Sequence, residues 1–263
     1  MTTNRTFIRS LRSVTMLLCA VALAACEKNG VQDITGTMPG ARIKFFNFGV
    51  NAPAVNFYAN TDKVTAILSA TGAEATTGVA FGGVGNGGYY SALQPGQYTF
   101  TGRIAATVDK DVAVSTVSAP LADGKAYSLY VSGFYNTTTK TVEGFVVEDN
   151  VPVTSDYTQA QVRFVNAISN STPTTLTARN QITGTTVTIN SGVAYKAAGV
   201  FVPVPEGLYD LTATTSGTNP VTYTRTGVSF GRGRVYSISS RGDITVGGTT
   251  ATNRAFLDFT ANR

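Results

Sequence analysis

Leu93–Phe100 reads LQPGQYTF, and a related stretch, VPEGLYDL, follows at Val204–Leu211. Each stretch begins with a turn that contains Pro and Gly and continues with aromatic or aliphatic residues at every second position. This pattern is typical of a tight turn that leads into a half-buried strand. Because the pattern occurs twice in 263 residues, we predict two copies of one smaller domain.

Further blocks repeat in the same order. Ala41–Asn47 (ARIKFFN) returns as Ala160–Asn166 (AQVRFVN), and Gly124–Leu129 (GKAYSL) returns as Gly233–Ile238 (GRVYSI). In the opening pair, apolar residues alternate with basic or polar ones. The alternation predicts a strand that has one face in the core and one face in water.

The composition favours sheet over helix. Only 13% of the residues are charged, Gly and Thr are frequent, and no long helical period is visible. Short strands separated by Gly, Asn, Pro and Thr turns predict an all-β fold of two tandem immunoglobulin-like β-sandwich domains. We place the first at residues 41–150 and the second at residues 160–263, with a linker around Pro152. The segment Asp62–Ala73 is predicted as a strand followed by a loop.

The N-terminus carries an export signal. Arg5, Arg9 and Arg12 precede the apolar run VTMLLCAVALAA, which is shorter than the roughly 20 residues that a membrane span needs. Residues 1–25 therefore match a signal peptide. Leu23-Ala24-Ala25-Cys26 resembles the lipobox of bacterial lipoproteins, which implies lipidation of Cys26. Residues 26–40 are then the lipidated cysteine and a flexible tether.

Export and lipidation define the expected location and partners. The protein is expected to be exported and lipid-anchored to the bacterial envelope, at the outer membrane, with the membrane as a partner through Cys26. Without the signal peptide the chain carries 17 basic and 15 acidic side chains, a net charge of +2. This balance argues against a nucleic-acid partner.

The repeated blocks resemble a known family. They are similar to domain-of-unknown-function family 4397. The similarity lies in both opening strands, in the turn Pro95–Phe100, in Gly124–Leu129 and in Asn51–Tyr58 (NAPAVNFY). The second copy departs from the pattern at Ser169–Leu176. The resemblance implies tandem β-sandwich modules on exported or surface proteins, and it implies no activity and no catalytic residues.

The residue inventory excludes most catalytic chemistry. The chain has no histidine, and its two cysteines are Cys19 in the signal peptide and Cys26. We therefore predict no catalytic residues, no metal and no cofactor. The acids are sparse and form no recognisable pair. Asp109–Asp111 and Glu148–Asn150 are compatible with calcium ligands, but we interpret them as solvated turn residues.

The repeated tyrosines are interpreted as core residues. Tyr98 corresponds to Tyr209 and Tyr127 to Tyr236, and each lies two positions from an apolar residue on the same strand face. Buried rings with satisfied hydroxyls are expected at these four positions.

Two aromatic loops are the candidate binding sites. The Gly-rich stretch Gly82–Tyr90 is predicted to be a flexible loop that presents Tyr89, with Tyr90 turned inward. A turn between the last two strands of the first copy is predicted to present Phe134, Tyr135 and Asn136. Exposed rings beside amides suit stacking on sugars or on a protein partner, whereas rings folded over the sandwich end would be structural.

Three arginines in the second copy, Arg232, Arg234 and Arg241, are predicted to cluster at one sheet edge. There they would either contact a polyanion or protect the edge from aggregation, and we prefer protection. The sequence thus predicts a non-catalytic surface binding or adhesion module for a glycan or a protein. A structural spacer of envelope assemblies is the alternative, and a carboxylate-pair glycan hydrolase is the third hypothesis.

Overall fold

The computed structural model describes residues 40–65, 77–152 and 157–262. The predicted signal peptide, Cys26 and the tether up to residue 39 lie outside the described residues, as does most of the segment Asp62–Ala73. No helix in the described ranges is long and apolar enough to cross a membrane. The described residues belong to one compact unit, Pro39–Arg263.

The first half of the described chain folds into a sandwich of two β-sheets. Its strands are β1 (Ala41–Asn47), β2 (Val55–Ala59), β3 (Asp62–Lys63), β4 (Gly83–Val84), β5 (Ser91–Leu93), β6 (Gly96–Ile104), β7 (Ala113–Leu121), β8 (Ala126–Asn136) and β9 (Thr141–Glu148). One sheet has the order β4–β1–β8–β9, with β5 also paired to β1, and the other has the order β3–β2–β6–β7. We call this half the first sandwich.

The second half forms a second sandwich. Its strands are β10 (Gln159–Asn166), β11 (Thr174–Asn180), β12 (Thr186–Val193), β13 (Val202–Pro205), β14 (Gly207–Thr215), β15 (Thr222–Phe230), β16 (Val235–Arg241) and β17 (Phe256–Ala261). One sheet has the order β13–β10–β16–β17 and the other the order β12–β11–β14–β15.

The two sandwiches share their strand order and directions. In the first, β1 runs parallel to β8, and in the second β10 runs parallel to β16, while the remaining pairs in both sandwiches are antiparallel. The structure confirms the predicted all-β fold of two immunoglobulin-like sandwiches. The domain boundaries at residues 41–150 and 160–263 stay a prediction.

Each sandwich has its own apolar core, and the repeated tyrosines belong to these cores. Tyr127, Tyr209 and Tyr236 are buried, and Tyr98 is half-buried against the first core. The hydroxyls of Tyr98 and Tyr209 both donate to the backbone carbonyl four residues earlier, at 2.9 Å. Each tyrosine therefore fixes its own turn to the strand that follows, as polar tips of buried rings commonly do.

The sheets that contain β1 and β10 pack against each other, and we call them the inner sheets. Phe46, Tyr130 and Phe145 of the first sandwich form an apolar cluster with Val165 and Ala167 of the second. The rings of Phe46 and Tyr130 are stacked with centroids 4.6 Å apart. Both faces of each inner sheet are thus covered, one by its own core and one by the other sandwich.

This packing corrects the expectation of a wet face on the opening strands. Lys44 is 1% exposed and Arg163 is 2% exposed. Both side chains point away from their own core, as the alternation predicts, but they enter the interface between the inner sheets. A polar face meets polar groups of the other sheet instead of water, and the two environments produce the same alternation in sequence.

Candidate functional site

The interface between the inner sheets contains a buried ion pair. Arg163 on β10 pairs with Asp149, whose side chain is fully buried just after β9. The Arg163 guanidinium also donates to the backbone carbonyl of Glu148 and to the Ser237 hydroxyl, each at 2.9 Å. It lies 4.8 Å from the ring centroid of Phe201. Arg163 thus reaches from the second sandwich into the first.

Asp149 accepts two more hydrogen bonds, and its surroundings correct the sequence interpretation. The Ser128 hydroxyl donates to its carboxylate at 2.8 Å and the Tyr90 hydroxyl at 2.7 Å. Asp149 is therefore a buried acceptor shared by three donors, and the prediction of a solvated turn residue was wrong for it. Within the described residues, no group of three potential metal ligands occurs there or elsewhere.

Lys44 makes the corresponding contact in the opposite direction. Its ammonium donates to the backbone carbonyl of Ala261 and, at 3.2 Å, to the side-chain oxygen of Asn262. It lies 4.3 Å from the ring centroid of Tyr90. Lys44 thus reaches from the first sandwich into the second, stacked on an aromatic ring of its own sandwich, as Arg163 is.

Asn262 occupies the position that Asp149 occupies in the other sandwich. The backbone N–H of Asp149 donates to the backbone carbonyl of Ala126, the first residue of β8. The backbone N–H of Asn262 donates to the backbone carbonyl of Val235, the first residue of β16. The interface is therefore reciprocal, like the contact across a two-fold axis. It differs in one respect, because the acid opposite Arg163 is replaced by an amide opposite Lys44.

A cleft opens beside Lys44, where the inner sheets meet. Its volume is about 430 Å³, and it lies between Gly87–Tyr90 of the first sandwich and Arg234 and Phe259–Asn262 of the second, with Lys44 in its lining. None of the lining residues is acidic. The cleft is thus concave, partly aromatic and positively charged.

The Gly-rich loop that borders the cleft makes hydrogen bonds through Asn86. Asn86 donates from its side-chain amide to the carbonyl of Val64 at 2.9 Å and to the Ser91 hydroxyl at 2.7 Å. Gly87 and Gly88 have φ of +64° and +84°, which suits glycine. Tyr89 thus lies in a loop that is hydrogen-bonded at Asn86, and the predicted flexibility of the loop stays a prediction.

Burial sets the electrostatics of the cleft lining. It lowers the pKa of Lys44 to about 8, an effect that the charge of Asp149 partly opposes and that of Arg163 reinforces. Burial also raises the pKa of Tyr90, and the nearby Asp149 charge raises it further. Tyr90 is therefore a neutral hydroxyl, whereas Lys44 can lose its proton under mildly basic conditions.

The structure separates the predicted site residues. Tyr89 is 79% exposed and lines the cleft. Lys44, beside this loop, lies opposite Ser128 in the pairing of β1 with β8. Phe134 lies six residues further along β8, roughly 20 Å away at the usual strand rise. Tyr89 and Phe134 thus do not form one patch.

Phe134, Tyr135 and Asn136 were predicted on a loop tip, and they instead end strand β8. Phe134 is 45% exposed, whereas Tyr135 packs against the first core. The Asn136 side-chain oxygen accepts hydrogen bonds from the backbone amides of Thr138 and Thr139, so it stabilises the turn that leads to β9. This end of the sandwich presents one exposed ring.

The predicted arginine cluster is not formed. Arg232 pairs with Glu206, and Arg241 pairs with Asp258 in a mostly buried site. Arg234 is exposed and lines the cleft. Sequence reasoning missed Lys44 and Asn262 as cleft residues, although a basic residue at the same point of both opening strands was the available signal.

The described clefts lack the pair of acids that glycoside hydrolysis needs. The cleft beside Lys44 has no carboxylate in its lining. A second cleft beside Tyr98 contains Asp62 alone, and a third, lined by Thr222–Thr224 and Ile244–Thr249, contains none. None of these three clefts supports the carboxylate-pair hypothesis.

Comparisons with known proteins identify a family for the chain. The family described as Domain of unknown function (DUF4397) matches residues 41–174. This match covers the first sandwich and the opening of the second. A comparison with curated proteins found no match.

Several solved structures are similar at low identity. A leucine-rich repeat protein from Bacteroides thetaiotaomicron is 12% identical, with a TM-score of 0.22, and the match covers 80% of this chain and 26% of that protein. A candidate cell adhesion protein from Bacteroides fragilis is 8% identical (TM-score 0.26, coverage 85% and 98%). Another from Bacteroides eggerthii is 11% identical (TM-score 0.24, coverage 86% and 97%). TM-scores this low do not establish a shared fold.

Proposed function

Because the chain belongs to the family described as Domain of unknown function (DUF4397), which assigns no activity, we propose its function from the geometry of the cleft. The protein is a non-catalytic binding module that is lipid-anchored to the bacterial envelope, at the outer membrane, through Cys26. It binds a glycan in the cleft between the inner sheets. The observation that supports this proposal is the exposed ring of Tyr89 beside a concave cleft.

The cleft has the features that sugar binding needs. Its volume lies within the usual range of about 300–1,000 Å³ for small-molecule sites. The Tyr89 ring provides an apolar face on which the C–H groups of a sugar can stack. Thr260, Asn262 and Arg234 provide polar groups on the opposite wall. An exposed aromatic with polar groups opposite it favours recognition over core packing.

The alternative is a passive spacer of envelope assemblies. The reciprocal contacts between the inner sheets favour a rigid two-sandwich body, which a spacer also needs. An exposed tyrosine beside a positively charged cleft has no role in a spacer, and for this reason we prefer binding.

The test is a glycan binding screen on the full chain in detergent, with Tyr89→Ala beside wild type. The matched control is Val200→Ala, because Val200 precedes Phe201 as Tyr89 precedes Tyr90 and is also highly exposed, at 75%. We expect Tyr89→Ala to lose binding and Val200→Ala to retain it, both with unchanged melting temperatures. A Phe134→Ala, Tyr135→Ala double variant tests the other aromatic site.

If only the double variant loses binding, the glycan site is at the end of β8 and not in the cleft. Absence of binding for wild type across the screen would contradict the proposed function and favour the spacer.

A further inference from the structure

The reciprocal interface is unbalanced in charge. Two cations, Lys44 and Arg163, are buried between the inner sheets, and Asp149 is the carboxylate that faces them. Asp149 pairs with Arg163. Among the described residues no carboxylate forms an ion pair with Lys44, whose acceptors are a backbone carbonyl and an amide oxygen. A buried charge without a counter-charge is costly, so one net positive charge is left to be compensated.

The uncompensated charge lies beside the cleft. Lys44 is part of the lining, and the exposed Arg234 lies on the opposite wall. Arg42 is not part of the lining; it lies 5.9 Å from the centroid of the Tyr90 ring, and its Nε atom is buried without a described hydrogen-bond partner. An anionic group that enters the cleft would therefore meet the exposed guanidinium of Arg234 near the buried charge of Lys44, and no acid in the lining.

We infer that the cleft selects glycans that carry a carboxylate, as uronic acid sugars do, and that this carboxylate lies in the cleft between the exposed Arg234 and Asn262, near the buried charge of Lys44. The inference rests on the proposed function and specifies its ligand class. Lys44 supplies the buried charge, Arg234 a second donor at the mouth, and Tyr89 the stacking face.

The test compares an oligogalacturonide with its methyl-esterified form, in which a methyl group on each carboxyl removes the negative charge; both are titrated into the full chain in detergent. We expect the acid to bind at least tenfold more tightly than the ester, since a hydrogen bond to a charged group contributes roughly a tenfold to hundredfold change in affinity. Competition by inorganic phosphate in millimolar amounts separates a general anion site from a carboxylate site.

Asn262→Asp is the decisive variant. It places a carboxylate beside Lys44 within the chain and copies the Arg163–Asp149 pair. We expect it to weaken binding of the acid probe at least tenfold and to leave binding of the ester within about twofold. Arg234→Gln is a second variant, on an exposed side chain whose loss cannot unfold the core, and it should weaken the acid probe alone.

The outcomes are distinguishable. Equal affinity for acid and ester in wild type, or unchanged acid binding in both variants, would overturn the inference and leave glycan binding in the cleft intact. Stronger inhibition by phosphate than by the acid probe would overturn the carboxylate assignment. If neither probe binds, the inference is overturned, and the wider glycan screen with Tyr89→Ala decides the proposed function separately.

Discussion

Asp149→Asn should destabilise the protein strongly. The substitution keeps the shape of the side chain and removes its charge, so Arg163 and Lys44 are left buried with no carboxylate between them. It also places an amide where the hydroxyls of Ser128 and Tyr90 now donate. Removal of one partner from a buried ion pair typically costs about 3–5 kcal/mol. For a unit of this size, that corresponds to a fall in melting temperature of roughly 6–20 °C.

The assay is chemical and thermal unfolding followed by far-UV circular dichroism and tyrosine fluorescence, since the chain has no tryptophan. The matched control is Glu143→Gln, which breaks the exposed Lys196–Glu143 pair at 2.8 Å, also between the two sandwiches. We expect that control to change the free energy of unfolding by less than about 1 kcal/mol.

A double variant, Asp149→Asn with Arg163→Met, isolates the cause. If the penalty arises from an unpaired buried charge, the double variant should be more stable than Asp149→Asn alone. A loss below about 1 kcal/mol in Asp149→Asn would refute the reasoning. So would a double variant that loses the sum of both single effects.

Three further predictions follow from burial and from the N-terminus. Folding lowers the Lys44 pKa from 10.5 to about 8, so the unfolded state binds more protons between these pH values and the free energy of unfolding should rise with pH there. Relative to Lys44→Met, the free energy of unfolding of wild type should rise by about 2 kcal/mol between pH 7 and 9.5. A difference between the two proteins that does not change with pH would contradict the burial of the charge. Arg42, Tyr90, Asp149 and Arg163 are the other ionisable groups around Lys44, and both proteins contain them. Tyr209→Ala should lower the free energy of unfolding, measured with urea, by about 3–5 kcal/mol, and Tyr98→Ala should lower it by less because Tyr98 is only half-buried. Equal losses in the two variants would contradict the difference in burial. Cys26→Ser should abolish incorporation of labelled palmitate into the protein, and labelling equal to that of wild type would contradict lipidation of Cys26.

The strands were predictable from sequence because their signals are local. The Pro-Gly turn before Tyr98 and Tyr209 and the alternation in β1 and β10 each depend on neighbouring residues. Together they gave the all-β class and the buried tyrosines. The order of the blocks gave the common strand order of the two sandwiches.

The interface was not predictable by the same reasoning. The alternation in β1 is identical whether Lys44 faces water or the polar surface of another sheet. Asp149 has the sequence context of a turn, and only the position of Arg163 in space makes it a buried acceptor. Contacts between residues more than a hundred positions apart, such as Lys44 with Asn262, carry no local signal.

The candidate site was predictable in part. Tyr89 was identified because the Gly-rich stretch Gly82–Tyr90 predicts a loop that presents one of its two tyrosines while Tyr90 turns inward. Phe134 and Tyr135 were predicted in a turn, whereas β8 continues through both of them to Asn136. Lys44 was missed, since one basic residue in a strand is an ordinary feature of sheet proteins, and Arg234 was predicted in a different cluster, with Arg232 and Arg241.

Joining the two sandwiches in one chain permits a difference that a symmetric dimer forbids. In a dimer of one sandwich, a single codon would specify both Asp149 and Asn262. The buried cations on both sides of the interface would then both face a carboxylate, or both face an amide. In a single chain each position can mutate alone. One side therefore carries an internal ion pair that joins the two halves, while the other side carries an amide and leaves Lys44 without a partner carboxylate among the described residues.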